Sequence, residues 1–144
     1  MSRAHRLADS VATLDRLPLA RLALAVTITL AGVHKLVAPA PWDAMVVPSW
    51  ADLLLPVSVR TWTLANAAGE LLVGLLLFTD RYTAPLAAFV LLSLSGTLCY
   101  IALVAATGAS VGVATELLVI IAIHDIGLAG LAARVTLDAL TRDS

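Results

Sequence analysis

The side chains best able to do chemistry in this chain are a few ionisable groups inside long apolar runs. Glu70 lies near the middle of the run at residues 59–78, and His124 and Asp125 lie inside the run at residues 113–134. A charged side chain at the centre of a bilayer costs about 2.5–3.5 kcal/mol on insertion scales, so it normally faces a partner or a wet cavity. Carboxylates and an imidazole at one depth can share protons or bind the polar head of a lipophilic ligand.

Residue counts from the helix ends place the polar groups in two layers. Glu70 lies about eleven residues, and His124 and Asp125 about twelve, from the outer ends of their helices, which predicts one central layer. Between this layer and the lid-side surface, we expect Lys35 and Glu116 to form a structural ion pair. The central layer is open to two interpretations, a ligand- or proton-handling site or groups that only hold the helices together. The outer layer is predicted to hold Lys35, Glu116, His34, Asn66 and Tyr100.

Polar and small residues form a stripe at helical spacing along each apolar run, which is typical of faces that contact other helices. Gly127 and Gly130 are expected to let a neighbouring helix approach closely. Arg21 is predicted to extend to the membrane interface or towards Asp125. The stripes comprise Thr27, Ala31, His34 and Lys35; Asn66, Glu70 and Gly74; Ser93, Gly96, Thr97 and Tyr100; and Glu116, Ile120, His124 and Gly127, with Asp125 on an adjoining face.

The composition indicates that a bilayer surrounds the helices. Of the 144 residues, 60% are hydrophobic and 13% are charged, with a mean hydropathy of +0.97, whereas soluble domains are about half apolar and about a quarter charged. We therefore predict an all-α membrane protein, a bundle of four transmembrane helices. The predicted spans are residues 17–37, 59–78, 82–106 and 113–134 of a domain at residues 17–136, with a polar interfacial segment at residues 1–16 and a C-terminal tail at residues 137–144.

The connection at residues 38–58 is predicted to be a lid at the outer end of the bundle. Its prolines at positions 39, 41, 48 and 56 prevent a long helix, and Trp42 and Trp50 are typical of a segment at the membrane interface. The sequence Ala38-Pro39-Ala40 resembles a signal-peptide cleavage site, but the preceding apolar run is long for a signal peptide. We therefore expect the first helix to be retained.

The distribution of basic residues predicts the orientation in the membrane. Seven lie on the N-terminal side of the predicted bundle, Arg3, Arg6, Arg16, Arg21, Arg81, Arg134 and Arg142, and two lie on the lid side, Lys35 and Arg60. The positive-inside rule places both termini in the cytoplasm, which predicts a multi-pass protein of the inner (cytoplasmic) membrane.

Several classes of function are disfavoured by residues that the chain lacks. A net charge of -1 provides no basic surface for nucleic acid. A single cysteine, Cys99, excludes an intrachain disulfide and is expected to be a small core residue. There is no HExxH motif and no second histidine four residues from His124, so we predict no metal site.

Four short motifs in order resemble the DoxX-like family of small four-helix integral membrane proteins. They are Arg21, the sequence AGVHKLVAP at residues 31–39, the sequence GELLVGLLL at residues 69–77 and the sequence HDIGL at residues 124–128. The resemblance implies a redox-associated membrane subunit, because some family members look like membrane subunits of thiosulfate:quinone oxidoreductase and others like partners of redox or thiol-stress enzymes. It also implies a quinone as the candidate cofactor and a membrane or redox protein as the candidate partner. Related methylamine-utilisation proteins use cysteine pairs that this chain lacks.

The preferred hypothesis is a bundle with a buried pocket for a lipophilic molecule such as a quinone. Glu70, His124 and Asp125 would bind or relay protons at its polar head. An alternative is a membrane anchor or assembly subunit, including a homo-oligomer, without a small-molecule site. A small proton-coupled transporter is a further alternative, although four spans without an inverted repeat are few for one. The sequence identifies no reaction. The expected route to the pocket is lined by Lys35, His34, Asn66, Ser93, Tyr100 and Glu116, beneath Trp42 and Trp50.

Overall fold

The computed structural model describes residues 18–142, except for the side chains at positions 52 and 54. Within this part of the chain, four helices are long and apolar enough to cross a membrane, and no strand occurs. The prediction of an all-helical chain with four potential spans is therefore confirmed. The predicted interfacial segment at residues 1–16 lies outside the described residues. The helices are α1 (Leu19–Val37), α2 (Ala40–Asp43), α3 (Pro48–Leu54), α4 (Val59–Phe78), α5 (Thr83–Thr107) and α6 (Thr115–Arg142).

Local sequence signals explain where the long helices begin and end. Ser58 caps α4 because its Oγ accepts a hydrogen bond from the Thr61 backbone N–H at 3.2 Å. Pro85 lies in the first turn of α5, where an N–H has no helical partner to lose. Gly108 ends α5 with a φ of 65°, a left-handed conformation that glycine adopts without steric cost.

The long helices form two close pairs, α1 with α4 and α5 with α6. Two glycines permit the first pairing. A Cβ at Gly32 would lie 2.8 Å from the Ala67 carbonyl oxygen, and a Cβ at Gly74 would lie 2.8 Å from the Thr29 backbone nitrogen. By contrast, α4 and α5 pack much less closely against each other. A groove therefore remains between the two pairs, along α4 and α5.

Buried apolar side chains form two clusters, one towards each end of the bundle. On α6, Asp125 lies between Leu118 of one cluster and Ala132 of the other. The bundle thus has an apolar core towards either end and a buried ionisable residue, Asp125, between them. The first cluster joins the four long helices through Leu24, Ala25, Ile28, Val73, Leu77, Ala87, Val90, Ala132 and Val135. The second joins the lid to α5 and α6 through Val47, Ile101, Val104 and Leu118.

Arg21 holds together the end of the bundle opposite the lid. Its guanidinium is buried and donates hydrogen bonds to the carbonyl oxygens of Leu77 and Phe78, the last residues of α4, the second at 3.1 Å. Its Nε also lies 3.1 Å from Oδ1 of Asp80, whose other oxygen is 3.8 Å from Nη1 of Arg142. Of the two directions predicted for Arg21, the side chain takes the one towards the helix end, beside the half-exposed Asp80, and not the one towards Asp125, because the carbonyls that end α4 have no helical donors and attract a cation.

The face of α6 that turns inward differs from the predicted one. Glu116, Ile120, His124 and Gly127 are exposed, and a Cβ at Gly127 or at Gly130 would have nothing within 4 Å. The predicted close approach at these two glycines is therefore not made within the described residues. The buried face carries Leu118, Asp125, Ala132, Val135 and Ala139.

Two further expectations are changed by the structure. Cys99 is exposed on α5 and is not part of the core. The helix α6 continues through most of the segment expected to be a polar tail, as far as Arg142. An ion pair at 2.9 Å between Arg134 Nε and Asp138 Oδ2, one helical turn apart, stabilises this extension.

Candidate ligand site between α4 and α5

Lys35 and Glu70 form an ion pair that joins α1 to α4. The Lys35 Nζ also donates a hydrogen bond to Oδ1 of Asn66, one turn before Glu70, at 2.6 Å. The side chains of Lys35 and Glu70 are only 11% and 22% exposed, so water can screen the pair little. The predicted ion pair between Lys35 and Glu116 is not formed: Glu116 lies on the exposed face of α6. The long lysine stem lets the ammonium of Lys35 reach from the predicted outer layer to Glu70.

The pair leaves one buried acceptor without a donor. Oε1 of Glu70 accepts from Lys35, whereas Oε2 is buried and has no hydrogen-bond partner among the described residues. The ammonium of Lys35 also lies 4.5 Å from the centre of the Trp42 ring, a cation–π contact. An unsatisfied buried acceptor costs about 1–3 kcal/mol, so a donor from a ligand or water would stabilise this site.

Two adjoining cavities lie along the groove beside this pair. The lower cavity, with a volume of about 270 Å³, is lined by residues of α1, α4 and α5, Glu70 and Gly69 among them. The upper cavity, with a volume of about 390 Å³, lies under the lid and is lined by Lys35 and by residues of the lid, α4 and α5. Three residues line both cavities and mark where they meet: Trp62, Asn66 and Ser93.

The lower cavity reaches the outer surface of the bundle. Trp62 and Phe89 line it, and these side chains are 47% and 58% exposed. In a bilayer this rim contacts lipid, because α4 and α5 are both potential spans. The groove is therefore open to a molecule that arrives laterally from the hydrocarbon.

Two contacts of tryptophans attach the lid to the long helices. Trp42 Nε1 donates a hydrogen bond to Nδ1 of His34 on α1 at 2.9 Å. Trp50 packs edge-on against Tyr100 of α5, with ring centres 5.8 Å apart. The Tyr100 hydroxyl accepts from the Val47 backbone N–H at 2.8 Å and donates to the Met45 carbonyl oxygen at 3.0 Å.

Two residues of α6 that the sequence assigned to the site, Asp125 and His124, lie beside the cavities and do not line them. Asp125 is 7% exposed, and its charge is close enough to interact with those of Glu70 and Lys35. His124 Nδ1 lies 3.3 Å from Oδ1 of Asp125, but the His124 side chain is 58% exposed. Neither residue lines the two cavities. The structure thus brings Asp125 near Glu70, as the depth argument predicted, and turns most of His124 outward.

The sequence did not lead us to four uncharged residues that line the lower cavity. Trp62, Gly69 and Val73 continue the helical face of Asn66 and Glu70 along α4. Phe89 does the same for Ser93 on α5. The signal that could have found them is the 3–4-residue spacing from the polar residues already identified.

Comparison with protein families supports the resemblance seen in the motifs. The family model described as DoxX matches residues 17–103, more than half of the chain. This range includes α1, the lid, α4 and most of α5, and therefore Lys35, Asn66, Glu70 and Ser93. No curated protein and no solved structure matches the chain significantly.

Proposed function

The chain belongs to the DoxX family, and we propose that it is a membrane protein that holds a lipophilic molecule with a polar head, of the quinone type, between α4 and α5. The observation that carries this proposal is the pair of adjoining cavities beside the Lys35–Glu70 ion pair. Binding sites for small molecules are mostly apolar concavities with a few convergent polar groups, and this groove has both properties.

The lining of the groove suits a ring with an apolar tail. Ile28, Val73, Val90 and Leu94 supply aliphatic surface in the lower cavity. The polar side chains are concentrated where the two cavities meet, near Asn66 and at the adjacent Lys35 and Glu70. A quinone head could bind these groups while its tail leaves through the lipid-facing rim. A role beside a redox protein is the part of the proposal that rests on the DoxX-like resemblance.

The membrane and its orientation are also part of the proposal. We place the protein in the cytoplasmic membrane with the lid on the extracytoplasmic side, because the Arg and Lys distribution favours cytoplasmic termini. Four arginines lie towards the end of the bundle that holds Asp80. Arg21 is at the start of α1, Arg81 is between α4 and α5, and Arg134 and Arg142 are in the last part of α6. Arg60 lies at the lid end, where its Nε is 2.7 Å from Oδ2 of Asp43.

A membrane anchor or assembly subunit is the second candidate function. The observation in its favour is the exposed polar face of α6, with Glu116 and His124 on a potential span and open space at Gly127. Polar side chains are costly against lipid and normally face protein or water. A partner helix, or a second copy of the chain, that docks there would cover them.

Two glycine substitutions separate the candidates. A Cβ at Gly69 or at Gly127 would have nothing within 4 Å, so Gly69→Phe and Gly127→Phe are matched for tolerance inside a helix. Only Gly69 lines the lower cavity. Binding of decylubiquinone to the purified full chain in nanodiscs is measured by titration calorimetry, with empty nanodiscs as the reference.

The proposal predicts saturable binding that Gly69→Phe abolishes and Gly127→Phe preserves. The anchor candidate predicts no saturable binding, together with loss of a co-purified partner, or of self-association, in Gly127→Phe alone. Equal binding by wild type and Gly69→Phe would contradict the groove as the site.

A further inference from the structure

We propose that the site selects the hydrogen-bond-donating form of its ligand, so that a quinol binds more tightly than the corresponding quinone. This inference rests on the proposed function and concerns the hydrogen-bonding character of the same site. It follows from which donors and acceptors around the cavities are already engaged and which are not.

The strongest donor near the groove has its hydrogens occupied. Lysine carries three N–H donors and no acceptor. In Lys35 they are directed to Oδ1 of Asn66, to Oε1 of Glu70 and towards the face of the Trp42 ring. A ligand carbonyl would have to displace one of these contacts to accept a hydrogen bond from Lys35.

The carboxylate of Glu70, by contrast, has an acceptor oxygen that is not engaged. Oε2 of Glu70 is an acceptor without a partner in the described part of the chain, and Glu70 lines the lower cavity. The terminal torsion of a glutamate is soft, so the carboxylate can turn Oε2 towards the cavity without a shift of α4. An O–H group on the ligand would satisfy this oxygen, whereas a carbonyl has no hydrogen to donate and would leave Oε2 unpaired.

Asn66 and Ser93 complete the set of available groups. Because a lysine can only donate, the contact with Lys35 fixes the amide of Asn66 with its oxygen towards α1. Its Nδ2 therefore remains a donor at the junction of the cavities, and Ser93 Oγ can donate or accept there. A phenolic hydroxyl both donates and accepts, so it can use Oε2 and Nδ2 together. A quinone carbonyl can use only the donor.

The size of the preference for the quinol over the quinone follows from the free energy that a site loses when its buried polar group is left unpaired. Sites that hydrogen-bond a substrate hydroxyl reject analogues without it strongly, because a buried partner then has nothing to bind. For a hydrogen bond to a charged acceptor, the expected preference for the quinol is about tenfold or more.

The test compares three probes on the full chain in nanodiscs under anaerobic conditions: decylubiquinol, decylubiquinone and the dimethyl ether of the quinol. The proposal predicts that the quinol binds at least about tenfold more tightly than the quinone and that the ether loses this advantage. In Glu70→Gln the amide supplies a donor, so the quinol-to-quinone preference should fall towards unity. The matched control, Glu116→Gln, changes an exposed carboxylate on α6 and should keep the wild-type preference.

The ratio of the two affinities is compared between variants because lipid partitioning of each probe cancels. Equal affinities in the wild type, as expected if a bound water already satisfies Oε2, would overturn the inference. A preference that persists unchanged in Glu70→Gln would overturn it as well. The wild-type comparison decides the question even if Glu70→Gln does not fold, once the partitioning of each probe into empty nanodiscs has been measured and its affinity corrected for it. Absence of saturable binding by all three probes would contradict the proposed function itself and this inference with it.

Discussion

Lys35 on α1 and Glu70 on α4 form an ion pair inside a bundle of potentially membrane-spanning helices. The pair joins the two helices that pack most closely and lies beside the groove between α4 and α5. In this pair the lysine compensates a buried carboxylate. Oε2 of Glu70 is buried without a hydrogen-bond partner among the described residues, and the proposed function assigns it to the ligand.

Removal of one member of the pair should destabilise the bundle more than removal of both. Lys35→Met leaves the Glu70 charge buried and unpaired, with an expected cost of about 3 kcal/mol or more, whereas Lys35→Met/Glu70→Met removes both charges and should cost less. Unfolding by denaturant in mixed micelles measures the free energy of each variant. Glu70→Met alone completes the double-mutant cycle, and additive effects of Lys35→Met and Glu70→Met would show that the ion pair contributes no coupling.

The contact of α1 with α4 should depend on Gly74. A methyl group there would collide with the backbone of Thr29, so Gly74→Ala is expected to destabilise the protein by about 1–3 kcal/mol. Gly69→Ala is the control on the same helix, because open space surrounds its Cβ position and alanine favours the helix. In the same unfolding assay, the free energy of unfolding should therefore fall in Gly74→Ala and rise in Gly69→Ala. A neutral Gly74→Ala would contradict the close approach of the two helices.

Arg21 should stabilise the end of α4 through hydrogen bonds rather than through general charge. Arg21→Met removes donors to the Leu77 and Phe78 carbonyls and is expected to cost about 2 kcal/mol or more. Arg81→Met is the matched control, since Arg81 is exposed and its guanidinium lies over the Tyr82 ring, 5.6 Å from the ring centre. Thermal unfolding followed by tryptophan fluorescence compares them, and equal losses in the two variants would refute the assigned role of Arg21.

The hydrogen bond between Trp42 and His34 should slow ligand exchange under the lid. Trp42→Phe keeps an aromatic ring near Lys35 but removes the N–H donor, so ligand release is expected to be about two- to tenfold faster. Trp50→Phe is the control, because the contact of Trp50 with Tyr100 is made by the ring. Stopped-flow dilution of bound decylubiquinone measures both rates. Unchanged release in Trp42→Phe would show that this contact does not hold the lid over the site.

Length and hydropathy were sufficient to predict the spans. The second predicted span, residues 59–78, coincides with α4, and Pro85 lies in the first turn of α5 as expected. The neighbourhood of Glu70 and Asp125 also followed from depth alone, since the rise per residue of a helix is fixed. These predictions depend on distance along one helix axis, which a sequence specifies well.

The face of each helix that turns towards the core was harder to predict. The helix α6 is apolar around most of its circumference, so its polar residues were the main guide, and Glu116 with His124 outweighed Asp125. The structure buries Asp125 and exposes the other two. The partners of Lys35 and Arg21 were missed for a related reason: both have long side chains, and residue counting places the Cα rather than the charged group.

The most direct test of the ligand site is to map where a bound quinone lies. A photoactivatable azidoquinone is cross-linked to the full chain in nanodiscs, and the labelled peptides are identified by mass spectrometry, with and without excess decylubiquinone. The proposed site predicts label that excess ligand suppresses, on residues 62–73 of α4 and 89–100 of α5, and its loss in Gly69→Phe. Label spread over the exposed faces of the helices, with no suppression by excess ligand, would contradict it.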